Sequence, residues 1–74
     1  MTTVLDTKGL KCPLPVLRAR KALKDVAAGD LLQVLATDPG AVKDFAHFCG
    51  TTGHALVESK QEGDVYCFLI RKSA

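Results

Sequence analysis

Turn-forming residues divide the chain into six short segments, and this division limits the fold more than any other feature of the sequence. The turn signals are Gly9, Gly29-Asp30, Asp38-Pro39-Gly40, Gly50 to Gly53 and Glu62-Gly63-Asp64. Glycine adopts backbone angles that other residues avoid, and proline cannot continue a helix or a central strand, so such clusters mark turns. A chain of 74 residues has room for one small domain. We expect residues 1–74 to form it.

The first half of the chain alternates between strand and helix patterns. Val4-Leu5 predicts a short strand, and the aliphatic run Leu31 to Ala36 is typical of a buried strand parallel to it. Between them, apolar residues at helical spacing predict a helix from Pro13 to about Val26, ended by Gly29-Asp30. The residues expected to face the sheet are Val16, Ala19, Leu23 and Val26.

The second half predicts another helix and a hairpin. Asp38 and Pro39 are typical of a helix start, as cap and first helical residue, and Gly50 is expected to end this helix. Its expected core-facing residues are Val42, Phe45, Ala46 and Cys49. Ala55 to Lys60 and Val65 to Arg71 predict two strands joined by Gln61-Glu62-Gly63-Asp64. The order βαβαββ predicts an α/β (α+β) two-layer sandwich, a four-stranded mixed sheet with two helices packed on one face.

The composition argues against several classes of protein. A formal charge of +2 is small for a protein that binds nucleic acids through their phosphates, so we do not expect direct nucleic-acid binding. We find no signal-peptide pattern and no apolar run near the roughly 20 residues of a membrane span, and we expect a cytoplasmic monomer that does not bind membranes. Three cysteines without a Cys-x-x-Cys pair favour free thiols over disulfides or a metal site.

Cys12 stands directly before the two prolines that open the first predicted helix, in the run Cys12-Pro13-Leu14-Pro15. The free N–H groups of a helix start carry about half a positive charge and favour a thiolate. Because proline has no N–H, the backbone N–H groups of Leu14 and Val16 are the expected donors to the sulfur. The sequence therefore predicts a Cys12 thiol with a pKa below the usual value of about 8.5.

The remaining cysteines and histidines give no sign of a hydrolase. Neither His47 nor His54 has a companion carboxylate at a spacing typical of a cysteine hydrolase. An ionised thiol without a histidine base suits sulfur exchange, in which a thiolate attacks another sulfur directly. Cys49, on the apolar face of the second helix, and Cys67, in the last strand, are interpreted as buried and unreactive.

These residues resemble a known family. The stretch from Leu5 to Pro15, Leu-Asp-x-x-Gly-Leu-x-Cys-Pro-x-Pro, is similar to the signature of the TusA/SirA family of small sulfur-carrier proteins. The likeness continues through Asp38-Pro39, Asp44, Phe48-Cys49, His54-x-Leu56 and Leu69-Ile70-Arg71-Lys72. It covers nearly the whole chain, and the family fold is a two-layer sandwich of the same βαβαββ order.

The resemblance implies that Cys12 accepts a sulfane sulfur as a persulfide and passes it to a cysteine of an acceptor protein. The donor would be a cysteine desulfurase or a rhodanese-like protein, and no cofactor beyond the transient persulfide is expected. In the family the sulfur serves tRNA thiolation, molybdenum-cofactor biosynthesis or sulfur oxidation. Leu14 departs from a well-known member that carries a glutamate between the prolines, so the partners of that member are not carried over.

Residues around Cys12 are assigned supporting roles. Those expected to position the Cys12 loop are Asp6, Gly9, Pro13, Leu14 and Pro15. Asp6 either accepts backbone N–H bonds there or simply ends the first strand. A basic cluster is the candidate docking surface for an acidic partner, although such a cluster is usually the solvated side of a helix: Lys11, Arg18, Arg20, Lys21 and Lys24. Two alternatives remain, an interaction module that binds a protein through this helix without sulfur transfer and a small RNA-binding domain.

Overall fold

The predicted order of strands and helices is confirmed. A computed structural model describes residues 2–73, which form four strands and two helices in the order βαβαββ. The elements are β1 (Thr2–Asp6), α1 (Leu14–Leu23), β2 (Leu31–Ala36), α2 (Ala41–Thr52), β3 (Ala55–Glu62) and β4 (Val65–Arg71). Both helices pack on one face of the mixed sheet, as predicted. Neither helix of residues 2–73 has the length and apolar character needed to cross a membrane.

The sheet has the strand order β1-β2-β4-β3. β1 is parallel to β2, with Thr2 opposite Leu31 and Asp6 opposite Leu35, while β4 runs antiparallel to both β2 and β3. Because β1 and β2 are parallel, their carboxyl ends lie side by side at one edge of the sheet. The loops that lead into α1 and α2 therefore start next to each other.

One face of the sheet carries the core. Every second residue of β2 is buried, and the aromatic ring of Phe45 in α2 stacks on that of Phe68 in β4, with 4.5 Å between centroids. The other buried apolar residues of the core are Ala19, Leu23, Val26, Leu32, Val34, Ala36, Ala41, Phe48, Cys49 and Ile70. This clustering packs both helices against the sheet, since burial of apolar area is the main stabilising term.

α1 is shorter than the sequence predicts, because it ends at Leu23 instead of Val26. After Leu23, backbone N–H groups donate to the carbonyl three residues earlier and not four. Asp25 N–H donates to the Ala22 carbonyl at 3.0 Å, and Val26 N–H donates to the Leu23 carbonyl at 3.2 Å. Val26 nevertheless reaches the core and is 6% exposed. The predicted core contribution of Val26 is confirmed even though the helix does not extend that far.

α2 differs from the prediction in both its bounds and its buried face. It begins at Ala41 and continues through Gly50 to Thr52, and Gly53, with φ at +86°, ends it. Val42 is 40% exposed and Ala46 is also exposed, so the prediction that they face the core was wrong. The buried set is Ala41, Phe45, Phe48 and Cys49. Burial of the Phe48 ring removes more apolar area from water than Ala46 would, which favours this rotation of the helix.

Strand pairing extends one residue past the end of β1, at Thr7. This side chain is 1% exposed. Its N–H and its Oγ1 both donate to the Leu35 carbonyl, at 2.8 Å and 2.5 Å. Thr7 therefore fixes where the loop to α1 leaves the sheet.

We predict that Thr7→Val lowers the free energy of unfolding by about 1 kcal/mol, because it removes one buried hydrogen bond at nearly constant volume. The Leu35 carbonyl keeps its bond from the backbone N–H of residue 7. Urea unfolding monitored by circular dichroism measures the change, and Thr3→Val, at an exposed position of β1, is the matched control. Equal stability of the two variants would contradict the role assigned to Thr7.

Candidate functional site

The loop that carries Cys12 is fastened to the loop after β2. Gly9, with φ at +84°, donates its N–H to Thr37 Oγ1 at 2.9 Å. The N–H of Cys12 itself donates to Asp38 Oδ2 at 2.5 Å. Asp38 also accepts the Gly40 N–H through Oδ1 at 3.1 Å. Its carboxylate therefore joins the two loops and also binds the backbone N–H of Gly40, the residue just before α2.

The Cys12 sulfur is exposed and in contact with a second carboxylate. The thiol donates a hydrogen bond to Asp44 Oδ2, in the first turn of α2. The hydrogen bond to Asp44, then desolvation, then the negative charges of Asp44 and Asp38 raise the pKa of the Cys12 thiol above its usual value. The prediction of a depressed Cys12 pKa was therefore wrong.

The predicted helix-cap geometry of Cys12 was also wrong, and this explains the pKa. Pro13 occupies the N-cap position of α1, and no side chain of residues 2–73 caps that helix. The N–H of Leu14, expected to point at the sulfur, instead donates to the Lys11 carbonyl at 2.8 Å. The sulfur thus lacks the Leu14 donor and lies beside the Asp44 carboxylate of the neighbouring helix.

The residues predicted to position the Cys12 loop have distinct places in the structure. Asp6 accepts the Lys8 N–H at 2.9 Å, which favours the bond-accepting alternative over a mere strand end. Pro13 follows Cys12 through a cis peptide bond, and Pro15 is buried under the start of α1. Leu14 between them is 42% exposed, so it adds an apolar surface next to the thiol.

The basic residues of α1 are exposed but do not form one rim around Cys12. Arg18 and Lys21 lie on the side of α1 near Asp25 and β1, whereas Arg20 and Lys24 lie on the opposite side. There they share a cleft with Leu23, Phe48, Thr52, His54 and Lys72. Since a helix rises about 1.5 Å per residue, Lys24 lies about 15 Å along the axis from the start of α1. Of the basic residues predicted to dock a partner, Lys11 is the one close to the site, where its charge helps to lower the pKa of Asp38.

A groove between α1 and α2 opens beside Cys12. It is lined by Pro13, Val16, Lys43, Asp44, His47, Phe48 and Thr51. The groove extends from Pro13, which follows the thiol, to Asp44, whose carboxylate accepts the hydrogen bond from the thiol. A segment lying in this groove would therefore meet Asp44 next to the Cys12 sulfur.

The other two thiols and His54 do not belong to this site. Cys49 is buried in α2, and desolvation raises its pKa. Cys67 is half-buried on the sheet face opposite the helices, beside Gln33 and Lys60. His54 Nδ1 accepts the Ser73 N–H at 3.0 Å. Within residues 2–73, no group of three or more histidine, cysteine, aspartate or glutamate side chains is arranged to hold a metal ion.

Sequence reasoning missed the residues that set the electrostatics of the site. Asp38 was interpreted as a helix cap, and Asp44 received no role. A signal for Asp38 was present, because two parallel strands end at the same edge and Asp38 follows the second strand. For Asp44 the signal was weaker: its placement near Cys12 depends on how α2 is rotated on the sheet.

The sequence is similar to those of proteins named as sulfur carriers, and the fold is similar to that of a SirA-like protein. A family model described as Sulfurtransferase TusA matches residues 3–72. A sulfur carrier protein TusA from Allochromatium vinosum is 56% identical, over 93% of this chain and 91% of that protein. A putative sulfur carrier protein from Neisseria meningitidis is 51% identical over 90% of each chain. The crystal structure of a SirA-like protein from Desulfitobacterium hafniense matches with a TM-score of 0.83, at 26% identity over 100% of both chains.

We predict that Asp38 stabilises the protein in a pH-dependent way. Bonds from the N–H groups of Cys12 and Gly40 hold the pKa of Asp38 below its usual value. A depressed folded-state pKa gives stability that is present above the unfolded-state pKa of about 3.9 and lost as pH falls through the folded-state pKa. The stability difference between wild type and Asp38→Ala should therefore narrow from about pH 7 to about pH 3.

Urea unfolding at the two pH values measures this difference. Asp64→Ala, in the exposed turn between β3 and β4, is the matched control and should show no such narrowing. A wild-type advantage over Asp38→Ala that stays constant down to the lower pH would contradict the prediction.

Proposed function

The chain belongs to the TusA family of sulfur carriers, and from this premise we propose that it acts as one sulfur-carrier domain in which Cys12 carries a sulfane sulfur as a persulfide. The donor is a protein persulfide, on a cysteine desulfurase or a rhodanese-like protein. The acceptor is a cysteine of a second protein, in tRNA thiolation, molybdenum-cofactor biosynthesis or sulfur oxidation. No bound cofactor is needed, because the sulfur itself is the cargo.

In the loading step, Cys12 Sγ attacks the outer sulfur of the donor persulfide. A new S–S bond forms on Cys12, and the donor's S–S bond breaks. The electron pair of the broken bond stays on the donor cysteine, which takes the proton that Cys12 gives up. Delivery reverses these roles, with the acceptor thiolate attacking the outer sulfur on Cys12 and Cys12 leaving. One neutral sulfur atom moves between thiols, so neither step needs an oxidant.

The observation that carries the proposal is the exposure of Cys12 on a loop held in place by hydrogen bonds. Cys12 is exposed, whereas Cys49 is buried and Cys67 half-buried. A protein donor must bring its own cysteine into contact with the receiving sulfur, and among these three thiols Cys12 offers the best access. The apolar surface of Leu14 and Leu17, which are 42% and 51% exposed, adjoins it.

We predict that Cys12→Ser abolishes sulfur uptake. Incubation with a cysteine desulfurase and cysteine, or with a rhodanese and thiosulfate, should add the mass of one sulfur atom to the wild type and none to the variant. Mass spectrometry of the intact protein measures the gain. Cys49→Ser and Cys67→Ser are matched controls and should take up sulfur normally.

The same variant separates the alternatives. An interaction module would keep its partner binding and biological activity in Cys12→Ser, and that outcome would contradict sulfur transfer as the function. Sulfur uptake that persists in Cys12→Ser but is lost in Cys49→Ser would show that Cys49, and not Cys12, carries the sulfur. An RNA-binding domain would bind tRNA tightly at physiological salt.

We further propose that the basic side chains of α1 attract an acidic partner surface. Arg20→Gln should lower the rate of sulfur loading by about two- to fivefold, since an exposed ion pair contributes up to about 1 kcal/mol. The effect should shrink as salt is added. Lys60→Gln, in β3, removes the same charge far from α1 and is the control. Equal loading rates for Arg20→Gln and Lys60→Gln would contradict this docking surface.

A further inference from the structure

The contact between Asp44 and Cys12 places a carboxylate on the reacting atom. Asp44 is held in the first turn of α2, where its N–H donates to the Gly40 carbonyl at 3.2 Å. Asp44 is half-buried, and its Oδ2 accepts a hydrogen bond from the Cys12 thiol. Asp44 therefore approaches the sulfur from a fixed helix and not from a mobile loop tip.

The other charged or titratable groups near Cys12 do not cancel the effect of Asp44, which raises the pKa of the Cys12 thiol. From the loop after β2, Asp38 adds a second negative charge, and from the Cys12 loop Lys11 is paired electrostatically with Asp38. From α2, Lys43 and His47 line the adjacent groove together with Asp44. Of these groups, Asp44 makes the direct hydrogen bond to the sulfur. The hydrogen bond from the thiol to the Asp44 carboxylate therefore favours the protonated form of Cys12.

The Cys12 thiolate is the species that both steps of sulfur transfer require. It attacks during loading, and it is the leaving group during delivery. A carboxylate in contact with the sulfur disfavours the thiolate in each case. The free carrier should therefore be slow to react with small thiols and disulfides, whether it is empty or loaded.

We propose that Asp44 blocks sulfur exchange at Cys12 in the free carrier, and that a cationic side chain of the partner protein removes the block by pairing with Asp44. The proposal rests on the proposed sulfur-carrier function. The partner cation is a lysine, arginine or protonated histidine next to the partner's own reactive cysteine. It reaches Asp44 through the groove between α1 and α2. The cation is not consumed, and the Cys12 proton still passes to the departing donor sulfur.

The first test is the rate of alkylation of Cys12 by iodoacetamide across a range of pH, followed at the Cys12 peptide by mass spectrometry. Asp44→Asn should shift the midpoint of the profile downward and raise the rate near neutral pH about three- to tenfold, since one pKa unit is a tenfold change in thiolate. Asp64→Asn is the control and should match the wild type. A midpoint unchanged in Asp44→Asn would overturn the proposal.

A second measurement needs no substitution, so it stands even if Asp44→Asn folds poorly. The midpoint for Cys12 in the native wild type should lie above the midpoint for the same residue in urea, where the contact with Asp44 is lost. A native midpoint at or below the unfolded one would overturn the proposal.

The cationic character of the partner group is tested with two small disulfides of opposite charge. Cystamine carries two ammonium groups, and dithiodipropionate carries two carboxylates. Cys12 of the wild type should exchange faster with cystamine, and the preference should fall severalfold in Asp44→Asn but not in Asp64→Asn. An equal preference for cystamine in wild type and Asp44→Asn would contradict the proposal that Asp44 recognises the cation of the partner.

Sulfur release gives the last test and separates this proposal from the proposed function. A persulfide is first formed on Cys12 by reaction with polysulfide. Its outer sulfur should pass to dithiothreitol faster in Asp44→Asn than in the wild type. Equal rates of loss would contradict the proposal that Asp44 slows delivery. The alkylation and disulfide tests involve no donor protein. The alkylation and disulfide tests can succeed while neither the wild type nor Asp44→Asn takes up sulfur from any donor protein. In that case the role of Asp44 stands and the carrier function fails.

Discussion

The parallel pairing of β1 with β2 is the constraint on which the site depends. It brings the carboxyl ends of the two strands together, and the pairing then continues through side chains after the strands end. Thr7 bonds to Leu35, Gly9 to Thr37 and Cys12 to Asp38. Each step joins the loop before α1 to residues after β2. Cys12 is thereby held close enough to α2 to form a hydrogen bond with Asp44, although that helix begins almost thirty residues later in the chain.

This arrangement decides which electrostatic effect acts on the sulfur. A helix start offers about half a positive charge, and only to groups that its free N–H groups can reach. Cys12 lies just outside that reach, because Pro13 takes the cap position and the Leu14 N–H is already bonded. A full negative charge on Asp44 is in direct contact with the sulfur instead. The nearer and larger charge prevails, and it raises the pKa of the Cys12 thiol.

The sequence was sufficient for the fold but not for the electrostatics of the site. Turn residues and aliphatic runs are local signals, and they predicted the order of the elements and the parallel pair. The rotation of α2 was not a local matter, because Val42 and Phe48 both lie at helical spacing from Phe45 and packing on the sheet chose Phe48. The same rotation brings Asp44 to Cys12. Since a contact between residues 32 positions apart leaves no periodic pattern, no local rule could have predicted it.

Cys12 and Cys49 illustrate why a resting pKa does not by itself identify a reactive thiol. Both thiols have a raised pKa, Cys12 chiefly through the hydrogen bond to Asp44 and Cys49 through desolvation. Desolvation of Cys49 can be relieved only by opening the core, which costs much of the stability of a small domain. The contact with Asp44 lies at an open groove, where another molecule can compete for the carboxylate. A high pKa at Cys12 is therefore compatible with reactivity, because its cause can be removed at the surface.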